Sequence, residues 1–454
     1  MKRLLITTLA EYQTKFWAEV GSTLCADGHE VTFIAFDDRS AEMLLARGFR
    51  VHSVTSNPLV SDVQAKQIIQ HFDINTLNYW LSHERFAFNI RDGMALRRKL
   101  ASAILAADQA CKEVLVRGPA VMIQELGGFL SVVGCFHAAR ANGMDHFFIE
   151  PSFFRGRLFF LRNTFRAMNV PDDFSGSAPD ELQLYLAETL QKGLIVVPKK
   201  DRHQYTTAWR KVVSLRNSRR LVEKLVDKFW HGKRQEFGYI GMYVRMHALM
   251  VWNSWRLRSK YTLLEHTGPI VYYPLHVPGD MALTLRSPHL LDQLSLVDQI
   301  CRSVPATHCV AIKEHPAMVG SVDAGRLIGM LNRYDNLIVL PPSTNNFDVL
   351  LRCDAVVTIN SKSGMEGALV GKPVIVLGDA FYTNSPNVRK VQHLQDLPVV
   401  LTETLTGNSD CASPEALTRY LSALWERSFP GELYVVDRAH IAQFSKSMVL
   451  AIST

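Results

Sequence analysis

A chain of 454 residues that is 47% hydrophobic and 20% charged is too long for one compact core, and its mixture excludes fibrous, collagen-like and disordered classes. Its formal charge of +7 is unevenly placed: residues 199–260 hold sixteen Lys or Arg against four Asp or Glu, a local +12 that leaves −5 for the rest. No aromatic-basic recognition motif accompanies that charge, so nucleic acid is not expected as a partner.

Residues 4–9 form the first predicted strand, followed by a helical stretch over 13–27, a Gly28-His29 turn and a second strand over 31–36. This order opens a right-handed βαβ unit. The basic pair Lys2-Arg3 and the short apolar run behind it break at Glu11, which reads as a strand and not a secretion signal. No stretch approaches the roughly 18 apolar residues needed to cross a bilayer, so a cytoplasmic protein is expected, peripheral at most on the inner membrane face. Asp37 and Asp38 are expected to cap a helix starting near Ser40. A small strand near 49–54, helices through 60–115, and strands over 120–124 and 146–149 complete an N-terminal α/β domain, residues 1–198, with a mostly parallel sheet. Residues 194–197 are one more strand candidate. Glu125 and Glu150 end apolar strands, where partial burial would raise a carboxyl pKa toward acid or base work; either also fits a satisfied structural carboxylate. Arg155 and Arg157 follow, placed to meet an acidic acceptor or a leaving phosphate. Seven scattered cysteines, none in a C-x-x-C spacing, read as reduced core residues.

Residues 199–268 read as a basic, helix-rich insertion. Leu221, Val222, Leu225, Val226 and Phe229 share one stripe, and the run over 239–261 mixes Tyr243, Trp252 and Trp255 with Met and Arg. Such helices meet anionic lipid headgroups, as at the inner leaflet, or pack on the first domain as a solvated insertion.

Pro269 marks the border of a second α/β series, residues 269–430, with strands over 270–273, 308–313, 336–340, 355–359 and 374–377. Helices are expected near 290–303, 322–333, 345–352, 363–370 and 413–427. The last helix, within residues 431–454, has no place in the second sheet and is expected to cross back to the first domain. The whole is two Rossmann-like domains facing a central cleft, and ligands in such sheets bind beyond the carboxyl ends of the strands.

The second domain carries the most telling segments. Asn360, Ser361, Ser363 and Gly364 form a tight turn between a buried strand and a helix start, where unpaired N–H donors and the helix dipole favour an anion. Glu366 follows in the first turn, within reach of a ribose hydroxyl. The same segment also fits an ordinary capped βαβ unit. Lys313 ends the 308–313 strand and His315 follows directly, with Pro316 holding His315 extended. These residues are suited to binding a phosphate without a metal; a strand-end His bonded to a neighbouring backbone group is the other reading. Pro342 and Ser343 occupy a loop that either packs on a nucleobase or simply caps a helix. His276 is a candidate for the cleft or simply a polar loop end, and Asp379 and Tyr382, beyond the last strand, are candidates for sugar hydroxyls. No metal-ligand spacing, P-loop or G-x-G-x-x-G occurs, so no metal or cofactor is expected.

With IKEHP (312–316), TINSKSGMEGALVGKPVIVLGDAFY (358–382), YYPLHVPGD (272–280) and IEPSFFRGRLFF (149–160), the chain resembles the bacterial capsule polysaccharide biosynthesis family, which includes Kdo-transferring enzymes. The resemblance is clearest over 270–390. It implies a glycosyltransferase of GT-B architecture, in which the His315-Pro316 pair and the turn with Ser361 and Ser363 hold the phosphate and ribose of a CMP-sugar. The Kdo-transferring members carry Glu-Asp or a later Asp in the first domain. Here Pro151 follows Glu150 and Arg162 stands near the expected Asp, which leaves the donor and the catalytic acid open.

The reading that follows is a metal-independent transferase using a nucleotide-sugar such as CMP-Kdo as co-substrate. Its acceptor would be a capsule or other surface glycan, lipid-linked or oligosaccharide, and other capsule-assembly proteins would be partners. A CDP-alcohol-dependent polyol-phosphate transferase and a catalytically silent scaffold of capsule assembly are the alternatives.

Overall fold

The computed structural model describes residues 1–54, 60–170, 178–192, 222–227, 230–237, 239–407 and 413–453. The strand candidate over 194–197, most of the basic stretch before 222, and Leu221 and Phe229 of the expected stripe lie outside the described residues.

The first sheet contains β1 (Arg3–Thr8), β2 (Glu30–Ala35), β3 (Arg50–Ser53), β4 (Ala120–Glu125), β5 (Asp145–Pro151) and β6 (Arg157–Arg162). The second contains β7 (Ile270–Pro274), β8 (Cys309–Lys313), β9 (Leu337–Leu340), β10 (Ala355–Thr358), β11 (Val374–Val376) and β12 (Val388–Lys390). A short strand near the chain end, β13 (Phe429–Pro430), pairs antiparallel with β6, so the first sheet runs β13-β6-β5-β4-β1-β2-β3. The second runs β12-β11-β10-β7-β8-β9 and is parallel throughout. In the first sheet β5 and β6 are antiparallel, because the short turn at Gly156 (φ +71°) leaves no room for a crossover helix.

The central strands are apolar on both faces and buried on both, as parallel sheets flanked by helices require. Asp37 caps the helix Asp38–Ala46 by accepting from the Ser40 N–H at 3.0 Å. After β13 the helix Arg438–Ala451 lies on the first domain against the helix Glu11–Ala26, with the Phe444 ring 4.9 Å from Phe16 and 5.7 Å from Trp17. The two lobes form a GT-B arrangement with a continuous apolar core between them, in which Phe153 and Phe159 of one half meet Phe381 of the other.

Of the basic segment, the helix Ile240–Leu257 bridges both lobes. On the first-domain side the Tyr239 hydroxyl donates to Glu84 (2.6 Å), which also accepts from Lys99 (2.9 Å). On the other side Asn253 donates to the Gly320 carbonyl (3.1 Å). Gly320 has φ +83°, and a Cβ there would stand 1.9 Å from the Met250 carbonyl oxygen, so only glycine permits this approach.

Candidate functional site

β10, β7 and β8 lie side by side, so the loops leaving their carboxyl ends share one rim of the second lobe. After β10 the chain turns sharply. The Asn360 N–H donates to His276 Nε2 (3.2 Å), the Ser361 N–H to Thr358 Oγ1 (3.1 Å), and Asn360 Nδ2 to the Ala282 carbonyl (2.6 Å). Ser361 caps the helix Lys362–Leu369, its hydroxyl accepting from the Ser363 N–H at 3.2 Å. Tyr382 is fully buried and its hydroxyl donates to the Ser361 carbonyl. It therefore shapes the turn from below and does not face a sugar. Gly364 packs on that ring so closely that a Cβ would stand 2.4 Å from the Tyr382 hydroxyl oxygen.

Behind this helix start sits a buried polar chain. Tyr272 donates to Asn346 Oδ1 (2.8 Å), and Asn346 Nδ2 donates to Ser363 Oγ (3.0 Å) and to Glu366 (2.9 Å). Glu366 is only 5% exposed, and burial raises its carboxyl to about 7 against the pull of Asn346, Lys362 and Lys313. Lys313, at the end of β8, is 3% exposed; burial depresses its ammonium to about 8, with Glu366 the favourable counter-charge. Among the described residues no hydrogen bond or ion pair satisfies its amine.

The next two residues diverge in role. Glu314 turns inward and its carboxylate accepts from the Gly320 (3.0 Å) and Val322 (3.3 Å) N–H groups, which fixes the loop that follows. His315 caps a short turn, Pro316–Met318, with Nδ1 accepting from the Ala317 N–H at 3.2 Å. That bond assigns the ring proton to Nε2, a donor at the rim. His276 is the reverse: Nε2 accepts from the turn, Gln293 Oε1 accepts from the His276 backbone N–H (2.7 Å), and burial followed by the nearby His315 pulls the ring down to about 3. His276 is thus a neutral support of the Asn360 turn, with no direct ligand role. Pro342 is half-buried and Ser343 exposed, ahead of the helix Asn346–Arg352 that Asn345 caps.

Across the interface the first lobe contributes the β5–β6 corner. Lys362 Nζ donates to the Ser152 carbonyl (2.8 Å), and Asp379 accepts from the Ala167 N–H (3.1 Å). Glu150 is held by a two-pronged ion pair with Arg286 of the second lobe, at 2.9 and 2.8 Å. The Arg286 side chain is 6% exposed and also donates to the Phe165 carbonyl (2.7 Å). Burial opposes its charge, and Glu150 and Asp379 outweigh that.

Glu125 and Arg157 stand apart from this group. The Glu125 carboxylate accepts from Trp17 Nε1 (2.9 Å), Gln13 (3.4 Å) and the Tyr434 hydroxyl. Arg157 lies 4.0 Å over the Trp425 ring and donates to Ser428 Oγ (2.7 Å), with burial lowering its guanidinium to about 10. It ties the terminal segment to β6, so an acceptor-binding role is corrected to a structural one. Arg155 is exposed, and its N–H donates to Tyr185 (3.1 Å). The site residues that sequence reasoning missed are Asn346, Tyr272, Arg286 and Lys362. A polar residue inside an apolar run, as in ALTLR (282–286), was the signal for Arg286.

The model of a family described as capsule polysaccharide biosynthesis protein matches residues 138–395. Protein FixF of Sinorhizobium fredii is 32% identical over 127 residues, an alignment covering 28% of this chain and 30% of that protein, so the match spans under a third of FixF. Among solved structures, the beta Kdo 2,7 transferase KpsC of Thermosulfurimonas dismutans aligns at 15% identity with a TM-score of 0.36, covering 77% of this chain and 90% of its own. The calicheamicin glycosyltransferase CalG4 gives 11% and 0.30 over 100% of this chain and 98% of its own. At these scores the likenesses have no bearing on the site. The family match runs from within the first lobe to past β12 and takes in both the Glu150 corner and the rim with His315 and Ser361; by that match over more than half its length, the chain belongs to the capsule polysaccharide biosynthesis protein family.

Proposed function

We propose that this protein is a metal-independent glycosyltransferase that moves a sugar from a nucleotide-sugar, a CMP-sugar such as CMP-Kdo being favoured by the motif resemblance, to a capsule or other surface glycan. The observation that carries the reading is the gathering of a buried ammonium with no hydrogen bond or ion pair among the described residues (Lys313), the His315 donor and the helix start at Ser361 on one rim, next to a carboxyl held near neutrality. That combination suits a phosphate flanked by a ribose. In this reading the bond from the anomeric carbon to the donor phosphate oxygen breaks as the acceptor oxygen bonds to that carbon. The phosphate leaves with its charge met by Lys313 and His315. The acceptor proton passes to Glu150 once its fork with Arg286 opens.

Mass-detected transfer from a panel of CMP- and UDP-sugars to oligosaccharide and lipid-linked acceptors tests it. Transfer from a CMP-sugar that His315→Ala abolishes is the expected result. Undiminished transfer by that variant would remove the donor site, and a phosphodiester product would reassign the chemistry to polyol-phosphate transfer.

A further inference from the structure

The helix Ile240–Leu257 buries one face and leaves the other open. Met250 and Leu257 are buried and Asn253 is bonded to the Gly320 carbonyl. On the opposite stripe Val244, Leu249, Trp252 and Trp255 are exposed, the two tryptophans at 55% and 66% with ring centroids 5.3 Å apart. Exposed apolar residues at 244, 248, 249, 252 and 255 follow helical spacing, so they form one continuous band. The segment 239–260 contains no Asp or Glu. Exposed Arg245 borders the band, and exposed Arg258 and Lys260 follow its end. Among the described residues none of these three cations forms an ion pair or a side-chain hydrogen bond.

Two large aromatic rings left in water beside unpaired cations, with no acid on the helix, match one solvent: an apolar boundary under an anionic surface. Among the described residues no helix is long and apolar enough to cross a membrane. We infer that the Trp252–Trp255 face of this helix docks in the plane of an anionic lipid surface. The occupant is committed by charge: a protein partner's apolar patch explains the tryptophans but not an acid-free stretch with unpaired cations. The buried face of the same helix packs on Gly320, in the loop that follows His315, so docking would bring that loop toward the lipid, where a lipid-linked acceptor arrives. That last link rests on the transfer reading; the docking itself does not.

Flotation of the full-length protein with phosphatidylcholine vesicles, with and without phosphatidylglycerol, tests it in the absence of any sugar nucleotide. Binding is expected to the anionic vesicles only, weakened by salt. Arg245→Gln with Arg258→Gln should lower partitioning about 25-fold, roughly fivefold per cation. Trp252→Ala with Trp255→Ala should lower it at least tenfold while CMP titration stays as in the parent protein. No vesicle binding, equal binding to neutral vesicles, or unaltered binding by the tryptophan variant would overturn the inference. A dimer in light scattering that the tryptophan variant dissolves would also overturn it and give the face to a second copy. Loss of transfer without loss of flotation would count against the reaction and leave the docking intact.

Discussion

Lys313→Met separates a binding residue from a structural one because the two roles demand opposite signs. The ammonium is 3% exposed, and its depression from 10.5 to about 8 corresponds to a burial penalty of roughly 3 kcal/mol at ~1.36 kcal/mol per pH unit. Below pH 8 both folded and unfolded chains hold the proton and the full penalty stands. Between pH 8 and 10.5 the folded chain releases it first, so stability rises with pH in that window. Methionine has similar volume and no charge, so the variant should be about 1–3 kcal/mol more stable than the parent at pH 7. Its advantage should fade as pH approaches 10.5. Glu366, losing a favourable neighbour, moves further up. Nucleotide affinity should meanwhile fall roughly 10- to 100-fold, the scale of one charge-assisted hydrogen bond. Urea denaturation from pH 6 to 10, beside calorimetric titration with CMP and UDP, reads both quantities. A variant less stable at pH 7 with unchanged nucleotide affinity would refute the reasoning and make Lys313 an ordinary core residue.

Three further outcomes are expected. Nucleotide affinity of the parent protein should fall as pH rises through about 7 and then about 8, because Glu366 gains a negative charge and Lys313 loses a positive one; Glu366→Gln should remove the first step in titrations across that range. Gly364→Ala drives a Cβ to 2.4 Å from the Tyr382 hydroxyl oxygen and should cost about 1–3 kcal/mol by thermal or urea melting. Glu150→Gln strands the buried Arg286 charge and should destabilise by about 3 kcal/mol, the low end for a broken buried pair since Glu150 is partly exposed; adding Arg286→Met should recover most of that loss.

The second sheet, β12 apart, was legible because its strands are apolar on both faces, and β8, β9 and β10 each lead into a capped helical turn. β6 was not, since RLFFLR (157–162) continues the apolar run of β5 and only the Gly156 turn separates two antiparallel strands. β12 and the helix Leu397–Thr406 were missed because VRK carries no apolar alternation and Pro398 stands inside the helix start. Site residues lying within a few positions of a strand end, such as His315 and Ser361, could be read directly. Arg286 and Asn346 could not, because their meaning lies in partners 136 and 20 residues away. His276 and Tyr382 were read as facing a ligand when burial turns both toward the turn they support, a distinction of orientation that spacing does not encode.

The candidate site is built across the contact between the two lobes. Segment 281–287 of the second lobe meets the first at several points: the Thr284 carbonyl accepts from Ser82 (2.6 Å), the Leu285 carbonyl from Tyr79, and Arg286 holds Glu150. The same segment supplies the Ala282 carbonyl that anchors Asn360 beside the Ser361 turn, and the Ser287 hydroxyl accepts from the Asp379 N–H (3.3 Å). Parting the lobes must therefore break the Glu150 fork, the Lys362–Ser152 bond and the Asp379–Ala167 bond together, and these are the contacts that ring the site. Glu150 cannot accept a proton while both its oxygens are held by Arg286, whereas the Ser361 turn is braced within its own lobe by Asn360, His276 and Tyr382. In the transfer reading, the turn that would seat the donor is braced within one lobe, while the carboxylate that would take the acceptor proton is held across the contact between the lobes.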